Sequence, residues 1–588
     1  MKKDRLNKLK KDYEQIIEVN TKIKNNISVL RLVLFVSFVG FLILACFKKG
    51  FIFIFPGLLF VCFVVVSVYH HRYLKIVDDT NFKITVINEY LSRFDNSYKR
   101  STDRGQDLKG EAFIESDLDI YGAGGLFGYL SFAKTPYGRK FLSDALKANL
   151  ITKEDLIKRQ DAIHELATRL DDTIAIEGMA IKFSQENDKK KISSLENAFN
   201  LLSNNINFNT NKLFINVIYI ILFVASIVLS VLGYLPAYFP VIVIFIGYIL
   251  GKVLYKEADE LGGAMQQINT SFYGYNYLLN EIQNKKYDSQ ILNEYQRDIN
   301  KLNAKSIKSF KILSGFLNSR NNIIFQVIFN GTVLLDGFLV YLFTIWQKKY
   351  ENDFKNAIVA IGHFEELISL STIEIVKECS VPEVSSIFTF EEIKHPLIEE
   401  NRCVPNSFNF KGTNIITGSN MSGKTTFMRS IGVNYILFLS GAAVCAKHFE
   451  APICKLFTSM KVVDDVNNNI STFYGEILRV KDICAYINTN EPMIVLVDEI
   501  FKGTNTKDRI TGATAFAKKL IDSNSFAIIT THDSELCQIE GVSNYYFLEH
   551  YIDDKIAFDY TIRKGISNTR NAIYLLKMAG IIDDKKED

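Results

Sequence analysis

The sequence predicts a C-terminal α/β domain with a largely parallel sheet, preceded by a mostly helical region into which two pairs of long apolar helices are inserted. Short β-rich runs alternate with helical stretches from about residue 386 onward, and such alternation is typical of a parallel sheet. Apolar residues recur at helical spacing in segments 77–205 and 257–385, and four apolar runs reach the length of a bilayer-crossing helix.

Composition and charge argue against several classes of protein. Hydrophobic residues make up 48% of the 588 residues, which is high for a water-soluble chain, and the excess is concentrated in two regions. The formal net charge is only +3, so the chain as a whole offers no strong electrostatic attraction for nucleic acid. The eight cysteines are scattered without a CxxC pair, which argues against a disulfide framework or a zinc site and fits a reducing cytoplasm.

The first pair of apolar runs covers 27–47 and 51–69 and follows a basic segment, residues 1–26. A signal peptide is the alternative interpretation, but two long runs in tandem without a small-residue cleavage site argue against it. Basic residues flank the pair at both ends, although the turn between the runs also carries two lysines. We therefore expect a transmembrane hairpin with cytoplasmic ends.

The second pair covers 213–232 and 235–254, with lysines at its outer ends. No charged residue occurs from Leu213 to Gly251, which favours a second transmembrane hairpin over a buried hairpin of a water-soluble protein. The chain is thus predicted to be a multi-pass protein of the inner or cytoplasmic membrane, with both termini and the C-terminal domain in the cytoplasm. The predicted units are 1–76, 77–205, 206–256, 257–385 and 386–588.

A third apolar stretch, Ile323–Trp346, is predicted to behave differently. It contains Gln326, Asn330 and Asp336 at helical spacing. An unpaired Asp near the middle of a bilayer costs at least roughly 2.5 kcal/mol. We therefore expect this stretch to be a core helix of a water-soluble domain.

Residues 418–425 read GSNMSGKT and match the pattern GxxxxGK[ST] between a strand-like run, 414–417, and a helix-like run, 426–439. Glycines allow backbone N–H groups to close around phosphate, and the N-terminus of the helix adds a favourable dipole. A plain glycine turn is the alternative interpretation. In the nucleotide-binding interpretation, Lys424 reaches the β- and γ-phosphates of ATP and Thr425 binds Mg²⁺. The predicted nucleotide-binding residues of this segment are Gly418, Ser419, Asn420, Met421, Ser422, Gly423, Lys424, Thr425 and Thr426.

Two further apolar runs end in polar residues that suit ATP hydrolysis. Residues 493–497 are followed by Asp498 and Glu499, and residues 527–531 are followed by His532. We expect Asp498 to hold Mg²⁺, Glu499 to polarise the attacking water and His532 to sense the γ-phosphate or to orient the water. Strands often end in carboxylates and a histidine at a strand end is often structural, so the prediction depends on the three motifs occurring together.

Several segments together are more specific than the phosphate-binding loop. They read KHPL (394–397), TGSNMSGKTTFMRSIG (417–432), STFYGE (471–476), LVDEIFKGTNTKDR (496–509) and TTHDSEL (530–536). In this order and spacing they resemble the ATPase domain of the MutS DNA mismatch-repair family. The tail 565–581 resembles the family's C-terminal helix-turn-helix segment, and 117–146 with Asp155–Leu166 resembles, more weakly, the start of its helical core domain.

The resemblance implies a homodimer in which two ATPase domains face each other and share their nucleotide sites. Ser471 would then contact the γ-phosphate bound by the partner subunit. Cys403 falls where the family usually has an aromatic ring against adenine, and Tyr546 is expected to supply stacking from the other side. The residues implied to couple the two sites are Thr504, Thr506 and Asp508.

DNA binding follows only from the resemblance. The first 110 residues contain the first predicted hairpin, which leaves no room there for the family's mismatch-reading domain. The Phe-x-Glu pattern of that domain occurs at Phe113, Phe364, Phe390 and Phe547, a frequency that indicates chance. Three functions stay open: a MutS-type ATPase acting on DNA at the membrane, a transport ATPase of the ABC type, and a nucleotide-gated scaffolding dimer. The run Leu439–Ala443 resembles the ABC signature loop only in composition and lies in the wrong place for it.

Overall fold

The structure is a computed structural model and describes residues 2–47, 54–100, 103–186, 208–302, 304–320, 322–419, 421–460, 472–502, 504–552 and 555–566. As the sequence predicts, the chain contains a helical region followed by a mixed α/β domain. The described helices of the first region are α1 Lys2–Phe47, α2 Ile54–Leu91, α3 Phe113–Asp117, α4 Leu126–Leu130, α5 Pro136–Ala145, α6 Lys153–Thr168, α7 Leu170–Glu186, α8 Lys212–Val231, α9 Phe239–Leu254, α10 Glu257–Gln283, α11 Gln290–Lys301, α12 Ala304–Ser319, α13 Ile323–Val333 and α14 Leu335–Val376.

Helices α1 and α2 form the first hairpin and pack through three aromatic pairs, each with ring centroids 5.7 Å apart: Phe35–Phe63, Phe38–Phe60 and Phe41–Phe55. The sequence predicted helix only from residue 27, but α1 extends back to Lys2. Its N-terminal end is held because Leu6 is buried and the Lys2 ammonium donates to the carbonyls of Glu374 and Lys377. The basic segment is therefore part of the hairpin's first helix.

Three described helices are long and apolar enough to cross a membrane, namely α1, α2 and α8. Two further pairs reach that standard only when each is taken together: α9 with Glu257–Gly263, bent by 78°, and α13 with α14, bent by 90°. Large apolar side chains on α8 and α9 are exposed, for example Phe214 at 69% and Ile249 at 60%. Length, composition and exposure are compatible with membrane insertion, which stays a prediction.

The expected single core helix over Ile323–Trp346 is wrong. The helix breaks at Leu334, which adopts a left-handed conformation with φ 50°, and the two halves diverge by 90°. Only the second half joins the buried helical core. Residues 323–333 form the separate helix α13, which packs on α9. Asp336, the residue that argued against a membrane location, is 1% exposed and paired with Arg320 at 2.6 Å.

Helix α14 is the central element of the helical region, and its second half is almost completely buried. Two adjacent carboxylates on this half anchor its neighbours. Glu365 accepts hydrogen bonds from the backbone N–H groups of Lys134 and Thr135 and from the Thr135 hydroxyl. Glu366 pairs with Arg159 of α6 at 2.5 Å. The residues before α5 and the helix α6 are thereby fixed against α14.

The C-terminal domain contains a six-stranded sheet in the order β10-β9-β4-β8-β7-β6 and a four-stranded sheet in the order β1-β5-β2-β3. In the larger sheet only β9 and β10 pair antiparallel. The strands are β1 Glu383–Val384, β2 Phe388–Ile393, β3 Asn406–Phe410, β4 Thr413–Thr417, β5 His448–Ala451, β6 Lys455–Ser459, β7 Met493–Asp498, β8 Ser525–Thr530, β9 Ser543–Ile552 and β10 Lys555–Lys564. The described α-helices of this domain are α15 Lys424–Leu439, α16 Thr472–Ile487 and α17 Thr506–Ile521.

The segment around α3 joins the helical region to the α/β domain. Asp117 is fully buried, and one of its oxygens accepts hydrogen bonds from Thr458, from the Met460 N–H and from Arg479. Asp119 pairs with Arg429 of α15 at 2.8 Å. The start of the segment that resembles a family core domain is therefore a docking contact with the phosphate-loop helix.

The ionisation of Glu365 predicts a pH-dependent stability. Burial raises the pKa of this carboxyl to about 7, although three hydrogen bonds oppose the shift. Because the folded pKa lies above the unfolded value of about 4.3, stabilisation is complete below that value and is lost as pH rises through 7. Relative to Glu365→Gln, the unmutated protein should therefore lose on the order of 3 kcal/mol of stability between pH 5 and pH 8.

The measurement is thermal unfolding, followed by the fluorescence of Trp346. This residue is the single tryptophan of the chain and is a buried residue of α14. The exposed Glu378, just past the end of α14, provides the matched control as Glu378→Gln. Parallel pH profiles for the unmutated protein and Glu365→Gln would show that Glu365 does not bind a proton on folding.

Candidate active site

The loop 418–425 connects β4 to α15 and depends on two glycines with positive φ. Gly418 has φ 144° and Gly423 has φ 104°, a region that side chains with a Cβ rarely adopt. A Cβ on Gly418 would lie 2.9 Å from the Ser422 hydroxyl and 3.1 Å from the Phe547 carbonyl. The glycines therefore allow the backbone to close into a loop at the N-terminus of α15.

The loop offers polar groups that suit a phosphate. The Ser419 hydroxyl is buried and has no hydrogen-bond partner among the residues that the structure describes. Ser422 is also buried and donates to the Ser419 carbonyl at 2.8 Å, whereas Met421 is 74% exposed. Asn420 lies outside the described residues. A buried hydroxyl of this kind beside a helix N-terminus fits an anionic oxygen.

Lys424 is 3% exposed and its ammonium donates to the carbonyls of Gly418 and Ser419. It also lies 3.2 Å from His532 Nε2. Burial lowers the pKa of Lys424 to about 8, and the carboxylates of Glu499 and Asp498 oppose this shift. A desolvated ammonium at this position gains from a phosphate, which would replace the hydration that the cation has lost.

Asp498 connects three elements at the carboxyl edge of the sheet. One of its oxygens accepts the Thr425 hydroxyl at 2.6 Å, and the other accepts the Thr530 hydroxyl at 2.5 Å. Strands β7 and β8 are adjacent and parallel, so their ends meet beside the start of α15. A carboxylate next to a threonine hydroxyl is the oxygen ligand set that Mg²⁺ prefers, so both predicted metal residues fit that ion.

Glu499 follows Asp498, the last residue of β7, in a left-handed conformation with φ 52°. Its two oxygens lie 2.8 Å from His532 Nε2 and 3.1 Å from the Lys502 ammonium. The hydrogen bond with His532 is the largest cause that lowers the pKa of Glu499 to about 2. His532 therefore contacts both Lys424 and Glu499, so these side chains from three separate motifs form one cluster.

A cavity of about 450 Å³ adjoins the loop at Gly423 and Thr426. Cys403, at the position predicted to lack an aromatic ring, lies in its wall. Tyr546, the expected stacking residue, is not among the residues that line this cavity, whereas the next residue on β9, Phe547, is, so stacking by Tyr546 stays a prediction. Since successive side chains of a strand point to opposite faces, Tyr546 faces away from the cavity.

Tyr560 also lines the cavity, together with Phe427 and Phe547. A register shift between Phe558 and Ile562 displaces β10, and Tyr560 adopts φ 54° there. Its ring lies over Gly423, where a Cβ would approach within 3.0 Å. The Asn406 side-chain amide accepts from the Ile562 N–H and donates to the Tyr560 carbonyl, which holds this part of β10 on β3.

The helical region also contributes to the cavity. Asn96 and Lys99, which follow α2, line it together with residues of the α/β domain. Tyr98 anchors them, because it is fully buried, packs edge-on against Tyr129 and donates to the Gly124 carbonyl. Local sequence contains no signal for this contribution, since it depends on docking of distant segments.

The residues implied to couple two sites lie near the start of α17. Asn505 caps this helix by accepting the Asp508 N–H at 2.9 Å, and Thr504 and Thr506 flank the cap. Thr530 and Lys502 are site residues that the sequence analysis missed, although both lie within quoted motifs. Ser471 lies outside the described residues, so its predicted contact with a partner's nucleotide stays a prediction.

Comparison with known proteins identifies the same region. Residues 414–584 match the family described as MutS domain V. MutS protein homolog 4 of Mus musculus is 32% identical over 217 residues, covering 34% of this chain and 22% of that protein. The DNA mismatch repair protein MutS of Haloquadratum walsbyi is 30% identical over 238 residues, covering 38% and 25%. The protein of that name from Aquifex pyrophilus is 30% identical over 242 residues, covering 39% and 28%.

The chain spans 22% to 28% of the length of these curated relatives. The similarity therefore concerns the α/β domain and the tail. It does not extend to the other domains of these relatives.

The placement of the two tyrosines predicts different effects on ATP affinity. Tyr560→Ala should weaken binding by roughly 2- to 12-fold, since an aromatic contact contributes about 0.5–1.5 kcal/mol beyond its buried area. Tyr560→Phe should retain most of the affinity. Tyr546→Ala is the matched control and should leave affinity nearly unchanged. Titration with a fluorescent ATP analogue measures all three; a larger loss for Tyr546→Ala than for Tyr560→Ala would contradict the assignment.

Proposed function

We propose, since this chain belongs to the MutS family through its domain V, that it is a Mg²⁺-dependent ATPase that works as a membrane-anchored, nucleotide-gated dimer. The observation that carries the ATPase proposal is the cluster at the carboxyl edge of the sheet. There Asp498 contacts Thr425 and Thr530, and Glu499 contacts His532, which in turn contacts Lys424. The products would be ADP and phosphate.

Each side chain of the cluster has a distinct proposed part. The loop's N–H groups and Lys424 bind the phosphates, and Thr425 and Asp498 hold Mg²⁺. The metal, when bound, polarises the phosphoryl oxygens as a Lewis acid. Glu499 accepts a hydrogen bond from the attacking water and thereby orients it. With a pKa of about 2 the carboxylate stays ionised at neutral pH, so positioning the water suits it better than storing a proton.

Glu499→Gln tests this proposal, because the amide keeps the shape of the side chain but loses the charge that orients the water. ATP binding should be retained, and turnover should fall by roughly 100-fold or more. Lys424→Ala should instead weaken binding itself. Phosphate release and nucleotide titration separate the two effects, with the exposed Glu535→Gln as the control carboxylate. Unchanged turnover in Glu499→Gln would remove Glu499 from the mechanism.

The proposed dimer shares its sites across the interface. Met421 of the loop is 74% exposed, and charge that develops on the γ-phosphate in the transition state requires hydrogen-bond donors around it. The resemblance assigns this role to Ser471 of the partner subunit.

Mixing two inactive variants distinguishes a shared site from a self-contained one. Lys424→Ala and Ser471→Ala should each abolish or greatly reduce turnover alone. A mixed dimer contains one doubly damaged site and one intact site, so part of the activity should return. Steady-state ATP hydrolysis is the measurement, and subunit exchange is verified separately with two affinity tags. No recovery despite exchange would eliminate the shared site and leave Ser471 as a helix-capping residue.

Membrane anchoring is proposed from the two hairpins. The described parts of α1, α2, α8 and α9 carry large apolar side chains with high exposure, including Phe47 at 84% and Val231 at 81%. Water contact with so much contiguous apolar surface is unfavourable, and acyl chains would remove it. We place the α/β domain and both termini in the cytoplasm and the chain in the inner or cytoplasmic membrane.

DNA is the proposed macromolecular partner, on the basis of family membership alone. The relatives from Haloquadratum walsbyi and Aquifex pyrophilus are named for DNA mismatch repair, and residues 414–584 of this chain match MutS domain V. The alternative is a scaffolding or transport-related ATPase that does not recognise mismatches. The salt dependence of duplex binding by the full chain separates them, because phosphate contacts release counterions.

A further inference from the structure

Helix α13 has an unusual combination of length and exposure. Its 11 residues correspond to about 16 Å, roughly half the 30 Å thickness of a bilayer's hydrocarbon core. Four of its apolar side chains are strongly exposed: Ile323 at 66%, Ile324 at 65%, Ile328 at 49% and Phe329 at 40%. No charged residue occurs between Arg320 and Asp336. The helix is therefore too short to cross a bilayer and too apolar on its outer side to face water.

The inner side of α13 packs so closely on the second hairpin that the backbones of the helices nearly touch. A Cβ on Gly331 would lie 2.6 Å from the Ile244 carbonyl of α9, and one on Gly247 would lie 3.0 Å from the Asn330 carbonyl. The Tyr219 hydroxyl of α8 lies 2.6 Å from the Val243 carbonyl and 2.7 Å from the Gly331 carbonyl. Small residues and interhelical hydrogen bonds of this kind are typical of helix packing inside membranes.

The break between α13 and α14 has its polar groups satisfied. The Asn216 amide of α8 donates to the Leu334 carbonyl at 3.0 Å, and the Tyr255 hydroxyl donates to Asn216 at 2.5 Å. The Asn330 side chain accepts the Asp336 N–H at 2.9 Å. Irregular backbone at membrane depth is tolerated only where protein covers it, and these contacts meet that condition.

Both ends of α13 return to the same ion cluster. Arg320, three residues before the helix, pairs with Asp336, three residues after it. Arg320 also pairs at 2.8 Å with Asp259, which follows the C-terminal end of α9. That end of the hairpin is the one proposed to face the cytoplasm. The segment therefore enters and leaves on one side, and its charges stay together at the base.

From this geometry we infer that α13 is a re-entrant membrane helix, inserted into the cytoplasmic leaflet beside the second hairpin, with its exposed face against lipid acyl chains. Lipid is favoured as the occupant because α13 packs on α9, which itself exposes large apolar residues such as Phe245 at 57% and Ile246 at 48%. The inference rests on the proposed membrane anchoring, which supplies the bilayer.

The test measures the surroundings of spin labels on the full chain in phospholipid vesicles, with the eight native cysteines replaced. Labels are placed singly at Ile324 and Ile328, at Phe245 as the hairpin reference, and at Ile157 of α6, which is 43% exposed, as the reference away from the hairpins. Molecular oxygen concentrates in the acyl region, whereas a polar nickel chelate stays in water. The oxygen-to-nickel collision ratio at Ile324 and Ile328 should match Phe245 and exceed that at Ile157 several-fold.

The other outcomes each overturn a specific statement. A water-like ratio at Ile324 and Ile328 with a lipid-like ratio at Phe245 rejects the re-entrant helix and leaves the anchoring in place. Low collision rates with both reagents indicate cover by protein, for example a second copy of the chain, and also reject it. A water-like ratio at Phe245 rejects the membrane anchoring itself.

A second measurement avoids substitution of the cysteines. The unmutated chain in the same vesicles is irradiated with an apolar diazirine dissolved in the bilayer, and the labelled peptides are mapped. Label should appear in residues 323–329 and in α9, and should be absent from α6. Labelling of α9 without labelling of 323–329 would contradict the inference even if the spin-labelled variants fail to fold.

Discussion

Glu365 and Glu366 lie side by side on the buried half of α14, and a buried carboxylate is stable only where donors or a cation meet it. Backbone N–H groups before α5 donate hydrogen bonds to Glu365, and Arg159 of α6 forms an ion pair with Glu366. These two requirements fix the helical core around α14. The segment around α3 and α4 packs within the same core. The contacts of Glu365 and Glu366 therefore also determine where Asp117 and Asp119 contact the α/β domain.

Because that segment docks on the α/β domain, the cavity beside the phosphate loop lies between the helical region and the α/β domain rather than within one of them. Lys99 reaches the cavity from the end of α2, and its aliphatic part lies along Gly124. Lys377, directly after α14, donates to the Ile398 carbonyl at 2.9 Å, and Ile398 lines the same cavity. The segments that follow α2 and α14 therefore both contact the wall of this cavity.

Within the site, Asp498 and Glu499 are adjacent in sequence but have different interaction partners. Asp498 has both oxygens occupied by threonine hydroxyls, an arrangement suited to holding a metal. Glu499 follows the strand in a left-handed conformation and is kept ionised by His532 and Lys502.

The sequence by itself determined the phosphate loop, the metal carboxylate and the partners at the ends of β7 and β8, because parallel strands bring their carboxyl ends to one edge. It also determined which runs are apolar enough for a membrane. The tertiary structure decided what local patterns cannot encode. A register shift in β10 places Tyr560, and not Tyr546, at the cavity. A left-handed Leu334 divides one apolar stretch into a helix on the hairpin and a helix in the core. Both depend on contacts between residues far apart in sequence, where packing overrides local propensity.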